Sequence, residues 1–380
     1  MNTHHTVRSL AMPAGLLLAA GLASVASALF HSEGVRPGGF LEGFLKQVLW
    51  AVMGIAAGLA LFRISYARIV PWAFPLYIAA LAALAGVLFL GSRINGATRW
   101  FRLGPLSIQP SEFAKVIVLL ALARSLSWPD RIQTWRGFLS AWAIVGIPVA
   151  LIQLQPDLTT ALLLLPSAVA MFWVSGVRWT RWAGFAALVV AGAAFLWWCG
   201  AIRDYQKGRL AAFAQKIGWG AESGASRQRS HEREAYQEIQ ARIAIGSGAV
   251  FGKGYLSGTQ NQLSVIPMSA SDFIFAVIGE EWGFLGSAAL LGVYLVLTYR
   301  LFEVASATGD PSGRLFAIGF AVHFSSQVIV NIAMATGVFP VVGIPLPLVS
   351  AGESSLVATL VGLAIVARIG ASDAPAFARE

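Results

Sequence analysis

Apolar runs of about 20 residues, the length an α-helix needs to cross a hydrocarbon layer, recur from one end of the chain to the other. They predict spans near residues 10–30, 44–62, 69–91, 111–127, 137–154, 158–175, 180–201, 272–299, 314–337 and 353–370. The runs are continuous rather than alternating, and a segment in lipid must satisfy its own backbone hydrogen bonds, so helices are expected and not barrel strands. The predicted fold is an all-α polytopic membrane protein, residues 1–380 as one integral membrane domain with about ten transmembrane helices. Two stretches break the pattern. Residues 202–271, between the seventh and eighth spans, are too long for a connector and are expected to form a large loop, functional or disordered. Within it, Gly220 to Arg229 is small and polar, while Arg233 to Ala244 has helical character and is expected at the membrane interface. Residues 339–352 are rich in Pro and Gly yet uncharged and apolar, which suits a re-entrant segment at membrane depth.

Composition agrees: 57% of residues are hydrophobic and 12% charged, against about 25% charged in a soluble domain. A net charge of +9 would suggest nucleic acid in a soluble protein, but here the 27 Lys and Arg residues sit mostly in loops and read as topological signals. With the N-terminus inside, twelve arginines (8, 63, 68, 124, 131, 136, 178, 181, 300, 314, 368 and 379) face the cytoplasm. The short outer loops then hold five cations, Arg36, Lys46, Arg93, Arg99 and Arg102. Both termini are therefore expected in the cytoplasm, and 202–271 outside it. Arg8, the apolar stretch after it and Ala26-Ser27-Ala28 could also pass for a secretory signal, although a retained first helix fits the further spans better. Cys199 is the sole cysteine, so no intramolecular disulfide or cysteine-rich metal site is expected.

Ionisable residues in or beside spans are costly and therefore candidates for function. Glu112 and Lys115, three apart, share a helix face, and Asp157 enters the same layer through Gln155-Pro156-Asp157. They read equally as an ion network joining three helices or as a site in which Lys115 favours an anion. Asp272 stands where the long loop meets the eighth span; Ser271 and Asp272 could simply cap that helix. Glu280 and Glu281, about 12 to 14 Å deeper along it, are a proton path or packed structural carboxylates. Trp100 beside Arg99 could stack on a sugar or belong to an interfacial aromatic belt.

Several segments together resemble the SEDS family (shape, elongation, division and sporulation), whose members include RodA and FtsW. They are Gly96 to Pro105, Gln109-Pro110-Ser111-Glu112-Phe113-Ala114-Lys115, Gln155 to Leu158, Ile243 to Gly248, Phe251 to Gly254, Gly258-Thr259-Gln260, Asp272 to Glu281 and Pro340 to Ser350. They run over most of the chain in the family's order, and the RodA branch fits better than the division branch. The resemblance implies a peptidoglycan glycosyltransferase of the bacterial inner membrane that polymerises lipid II into glycan strands during elongation. Asp272 matches the family's essential aspartate and is the candidate general base, taking the proton of an attacking sugar 4-hydroxyl as polyprenyl diphosphate leaves. Matched motifs also nominate Arg99, Trp100, Arg102, Gln109, Ser111, Glu112, Lys115, Asp157, Lys253, Gln260, Ser350, Ser354 and Ser355 for substrate binding, with the basic residues cradling the diphosphate. No protein metal site is expected; a divalent cation such as Mg2+ or Mn2+ is the candidate cofactor. A single-span class B penicillin-binding protein is the implied partner, docking on the eighth and ninth spans, where Gly283, Gly286 and Gly292 would allow close helix approach. Nucleic acid is not an expected ligand.

The chain departs from the family at three places. Met268 and Ala270 replace an acid and a histidine just before Asp272, Glu353 interrupts a usual glycine pair in Gly352-Glu353-Ser354-Ser355, and Thr159 stands where glycine is common. Two other readings therefore stay open: a transporter or flippase for a lipid-linked sugar, and a catalytically impaired scaffold for a penicillin-binding protein. A transporter with inverted repeats should show paired broken helices, and only 339–352 reads as such a segment.

Overall fold

The computed structural model describes residues 3–30, 39–94, 97–104, 106–155, 157–186, 228–263 and 268–372. Nine of the predicted spans coincide with described helices: α1 (Thr3–Phe30), α2 (Gly39–Phe62), α3 (Ala73–Leu90), α4 (Pro110–Leu126), α5 (Trp135–Leu154), α6 (Leu158–Val174), α8 (Ile274–Ala307), α9 (Pro311–Ala335) and α10 (Glu353–Ser372). Residues 179–186 begin a further helix; the rest of that predicted span with Cys199, and the loop as far as 227, lie outside the described residues. So do Gly96, Pro105 and Pro156 from the motifs. Among the described residues, seven helices are long and apolar enough to cross a membrane; one of them, Tyr66–Leu90, runs on beyond the α3 label as one unit, and α8, with 34 residues, is the longest.

The helices start where the chain supplies the chemistry. Pro110 at the first helical position opens α4, where its missing N–H costs nothing. Thr134 caps α5 by accepting from the Gly137 amide at 3.0 Å, and Asp310 caps α9 by accepting from Gly313 at 2.8 Å. Helix α4 is the centre of the bundle, packing on α3, α5, α6, α9 and α10. That position explains how a span carrying Glu112, Lys115 and Arg124 is accommodated: its first two charges never face lipid. Gly54 and Gly58 let α2 approach α10 closely, a Cβ at Gly58 falling 3.4 Å from Ala364 Cβ.

Between α3 and α4 the chain forms a small antiparallel sheet that the span pattern did not predict: β1 (Ser92–Ile94), β2 (Ala97–Leu103) and β3 (Leu106–Ile108), in that order. Trp100 pairs with Ser92 and Arg102 with Ser107. Ordered this way, the two motifs around Arg99 and Gln109 sit over the end of α4.

The long loop contributes α7 (Gln228–Ser247), which is not confined to the surface: Ala241 and Ala244 are fully buried against α8 and α9. Beyond it, residues 249–254 fill a break in α8. Gly283 there has φ 68°, and a Cβ on it would collide with the backbone of Gly252 and Phe251. The amides of Phe284 and Leu285 donate to Ala249 and Val250 at 2.9 and 3.1 Å, and those of Lys253 and Gly254 donate to Glu280 and Glu281 at 3.0 Å each. The groups that the break would strand are thus satisfied by the loop. Gly283 accordingly serves this internal junction and not a docking face; a Cβ at Gly286 would meet its own helix's Trp282, and only Gly292 opens on free space.

Residues 339–352 run without helix, closed by a turn in which Ser350 Oγ accepts from the Leu346 amide at 2.8 Å. This irregular backbone is held by side chains from the surrounding helices. Gln327 donates to Pro345 O at 3.1 Å, Asn331 to Ile344 O at 2.6 Å, Tyr294 to Pro347 O at 2.6 Å and Thr159 to Val342 O at 3.2 Å.

Candidate active site

A cavity of about 450 Å³ opens where the sheet, the starts of α4, α6 and α10, the 268–273 turn and the 339–352 segment converge. Its size falls among small-molecule sites, which run from about 300 to 1,000 Å³.

Asp272 reaches its wall through a tight turn. Met268 takes φ 58°, and its carbonyl accepts from the amides of Ser271, Asp272 and Phe273. The turn is pinned from two sides, by Ala351 N donating to Ala270 O at 2.8 Å and by Asn331 Nδ2 donating to Asp272 O at 3.0 Å. The helix-capping reading fails: α8 starts at Ile274 with Phe273 as its cap residue and no side-chain cap bond. Burial pushes the Asp272 carboxyl up to about 6, opposed by a hydrogen bond from Ser271. A Cβ at Gly343, whose φ is 65°, would lie 3.2 Å from Asp272 Oδ2, so glycine keeps that side of the carboxylate clear.

The same cavity is lined by two ion pairs. Lys115 Nζ is 2.9 Å from the Glu112 carboxylate, both deeply buried. Arg99 donates from Nε to Gln155 O at 2.9 Å and stands 3.7 Å from Asp157. Asp157 also caps α6, accepting from Thr160 N and Thr160 Oγ1 at 3.3 and 2.9 Å. Gln109 joins the groups by donating to Ser111 Oγ at 3.0 Å and to Asp157 Oδ2 at 3.3 Å. The expected ion network and the expected site are thus the same residues.

Of the nominated residues, Arg99, Trp100, Gln109, Glu112, Lys115, Asp157, Asp272, Ser354 and Ser355 line the cavity together. Ser354 Oγ accepts from Gln109 N at 2.9 Å, locking β3 to α10. Five do not line it. Arg102 is exposed on β2, and Ser111 is buried behind Gln109. Ser350 closes its turn, and its carbonyl accepts from Gln47 Nε2 at 3.2 Å. Lys253 and Gln260 converge instead on buried Glu280, whose Oε1 accepts from Lys253 Nζ at 2.6 Å and from Gln260 N and Thr259 Oγ1 at 3.0 Å each. Glu281 Oε1 accepts from Ser27 Oγ of α1 at 2.5 Å. Both carboxylates therefore fasten helices and loop together rather than lead towards Asp272. Ser27, within the stretch that could have read as a cleavage site, is buried in this contact.

Charge in the cavity differs from the expected basic cradle. Four carboxylates (Glu112, Asp157, Asp272, Glu353) and two cations (Arg99, Lys115) line it. Sequence reasoning also passed over Gln327 and Asn331, which hold the 339–352 segment and the Asp272 turn. The signal was present: His323, Gln327 and Asn331 recur every four residues in a largely apolar span, marking one helix face.

A polytopic helical membrane protein with a carboxylate-walled cavity at one end of its bundle, roofed by a small sheet, is the class these features define. The chain belongs to the family of cell cycle proteins comprising FtsW, RodA and SpoVE, whose model matches residues 8–374. It is 34% identical to the peptidoglycan glycosyltransferase MrdB of Escherichia coli K12 over 94% of this chain and 92% of that one. It is 28% identical to the peptidoglycan glycosyltransferase RodA of Treponema pallidum, covering 94% and 96%. Among solved structures it is similar to the rod shape determining protein RodA of Thermus thermophilus (TM-score 0.68, 33% identity, 96% of each chain). It is also similar to a chain from a peptidoglycan synthase complex that coordinates polymerization and crosslinking (TM-score 0.76, 32% identity, 96% and 98%).

Proposed function

We propose that this protein is a peptidoglycan glycosyltransferase that polymerises lipid II during cell-wall elongation, with Asp272 as general base. The relatives' names supply the reaction class; Asp272 carries the assignment to a site, being a carboxyl lifted to about 6 on the wall of a cavity beside the membrane helices. A base poised near the working pH is charged when needed and still accepts a proton readily. In the reaction a sugar 4-oxygen bonds to the anomeric carbon of the donor, the anomeric bond to diphosphate breaks, and the hydroxyl proton passes to Asp272. Arg99 and Lys115, although paired, offer the cavity's positive charge to the leaving diphosphate. Trp100 supplies an aromatic face for a sugar ring.

The expected Mg2+ or Mn2+ enters only as an ion carried by the diphosphate. Among the described residues no three His, Cys, Asp or Glu side chains come together to hold a metal, and Mg2+ is commonly bound by one or two carboxylates plus substrate phosphates.

On this reading the protein lies in the bacterial inner membrane with both termini cytoplasmic, so that the cavity, the 202–271 segment and the re-entrant 339–352 segment lie towards the outer face, in keeping with the arginine asymmetry. It pairs with a class B penicillin-binding protein along α8 and α9, where Leu295, Tyr299 and Ile329 present exposed apolar surface. Co-purification unaffected by substituting those three would remove the docking claim. The function itself is tested by polymerisation of lipid II with purified protein: product from the unmodified chain and none from Asp272→Asn is expected. Absence of product from both points to transport or scaffolding.

A further inference from the structure

Glu353 has no assigned role, yet it is the cavity's fourth carboxylate. It occupies the first turn of α10, half-buried, and lines the same cavity as Asp272. Its position is fixed, because the next residue, Ser354, accepts from Gln109 N at 2.9 Å, and the backbone of Ser107 hydrogen-bonds the Glu353 carboxylate. The other oxygen, Oε2, is buried with no hydrogen-bond partner among the described residues. An ionised carboxylate only accepts hydrogen bonds, and leaving a buried acceptor unmade is costly. The terminal torsion of a glutamate is soft, so a small turn presents Oε2 to whatever fills the cavity.

What fills it must donate. A diphosphate has no donor to offer and would be repelled; the cavity's two cations are engaged with Glu112 and Asp157, and Lys46, whose charge also acts on Glu353, does not line the cavity. The attacking sugar is different: it carries several hydroxyls and stands at least one ring away from its own diphosphate.

Resting on the glycosyltransferase reading, we propose that Glu353 is a positioning residue for the acceptor, accepting hydrogen bonds from hydroxyls of the attacking sugar while excluding phosphate from that side. The cavity is then divided, with diphosphate towards Arg99 and Lys115 and acceptor sugar between Asp272 and Glu353.

The test separates the two ends of the substrate. The full chain, purified in detergent, is titrated with the lipid-free, diphosphate-free GlcNAc-MurNAc disaccharide and, separately, with undecaprenyl diphosphate. Glu353→Gly should weaken disaccharide binding by about 10- to 100-fold, the scale of one hydrogen bond to a charged group. Glu353→Gln, which keeps the shape and a neutral acceptor, should fall between. Undecaprenyl diphosphate should bind both variants as well as the unmodified chain, or more tightly. In lipid II turnover the loss should appear in KM, with the acid limb of the kcat profile unmoved. Unchanged disaccharide affinity in both variants, or weakened diphosphate binding, overturns the proposal. Because sugar binding is read without turnover, failure of the polymerase reading registers separately as disaccharide binding without glycan product.

Discussion

Asn331 donates from one amide group to two carbonyls, Asp272 O at 3.0 Å and Ile344 O at 2.6 Å, and so ties the candidate base to the irregular segment across the cavity. The residue is fully buried in α9. Truncation leaves two carbonyls without this donor, one of them buried, and an unmade bond at a buried carbonyl costs about 1 to 3 kcal/mol. Asn331→Ala should lower the thermal inactivation temperature and reduce kcat for lipid II together. Asn331→Asp, which loses the donor but keeps the volume, should do the same. Retention of full activity by both would show that Asp272 is positioned without this bond.

The lifted Asp272 carboxyl makes opposite predictions for activity and stability. Activity needs the carboxylate, so kcat/KM should rise with pH up to about 6 and level above it. Stability runs the other way. The folded value lies above the unfolded one of 3.8, so holding the charge is a penalty that grows as pH rises from near 3.8 through about 6. Asp272→Asn should therefore lose about 10²- to 10⁴-fold in rate and yet resist heat better than the unmodified protein above pH 6, the difference closing near pH 4. Denaturation midpoints at both pH values check it.

Lys253 and Glu280 lie outside the cavity and should behave as a structural pair. Lys253→Ala leaves a carboxylate of zero exposure without its cation; breaking such pairs costs about 3 to 5 kcal/mol when fully buried, and less here because the lysine is partly exposed. Glu280→Gln, which keeps acceptors for Thr259 and Gln260, should cost less than Lys253→Ala. In surviving protein the KM for lipid II should be unchanged. A raised KM in Lys253→Ala with normal stability would return Lys253 to the substrate site.

Gly283→Ala meets two obstacles, a positive φ and the backbone of residues 251–252. This backbone conformation, with positive φ and extended ψ, is almost confined to glycine and alone costs about 1 to 3 kcal/mol for another residue, and the clash adds to it by forcing the loop outward. Hydrogen exchange should report this locally, with protection lost at the Phe284 and Leu285 amides that now donate to Ala249 and Val250. Equal protection in both proteins would mean the junction tolerates a side chain.

The spans were legible because about 20 apolar residues in a row have one economical structure in lipid. The cavity was partly legible for a related reason: charges in a span must face the protein interior, so Glu112, Lys115, Asp157 and Asp272 announced themselves. What the pattern misassigned were long-range partners. Nothing in the local sequence of Lys253 says that Glu280 waits 27 residues on, and motif membership alone grouped it with the substrate residues. The sheet was hidden because Ser92 to Ile108 is short, mixed in polarity and set between two strong spans. The break in α8 was hidden because glycine in a membrane helix more often signals close packing than a missing turn.

That break has a consequence for how the chain can drift. Gly248, Gly252 and Gly283 all sit in this junction without room for a side chain: a methyl group on either of the first two meets main chain of residues 279–282, and one on Gly283 meets main chain of residues 250–252. No substitution at one can be offset at another, because main chain cannot be trimmed. An insertion anywhere in 249–254 would slip the rungs by one position and carry the ammonium of Lys253 away from Glu280. This corner of the molecule should accept changes of neither length nor bulk, although no substrate need ever touch it.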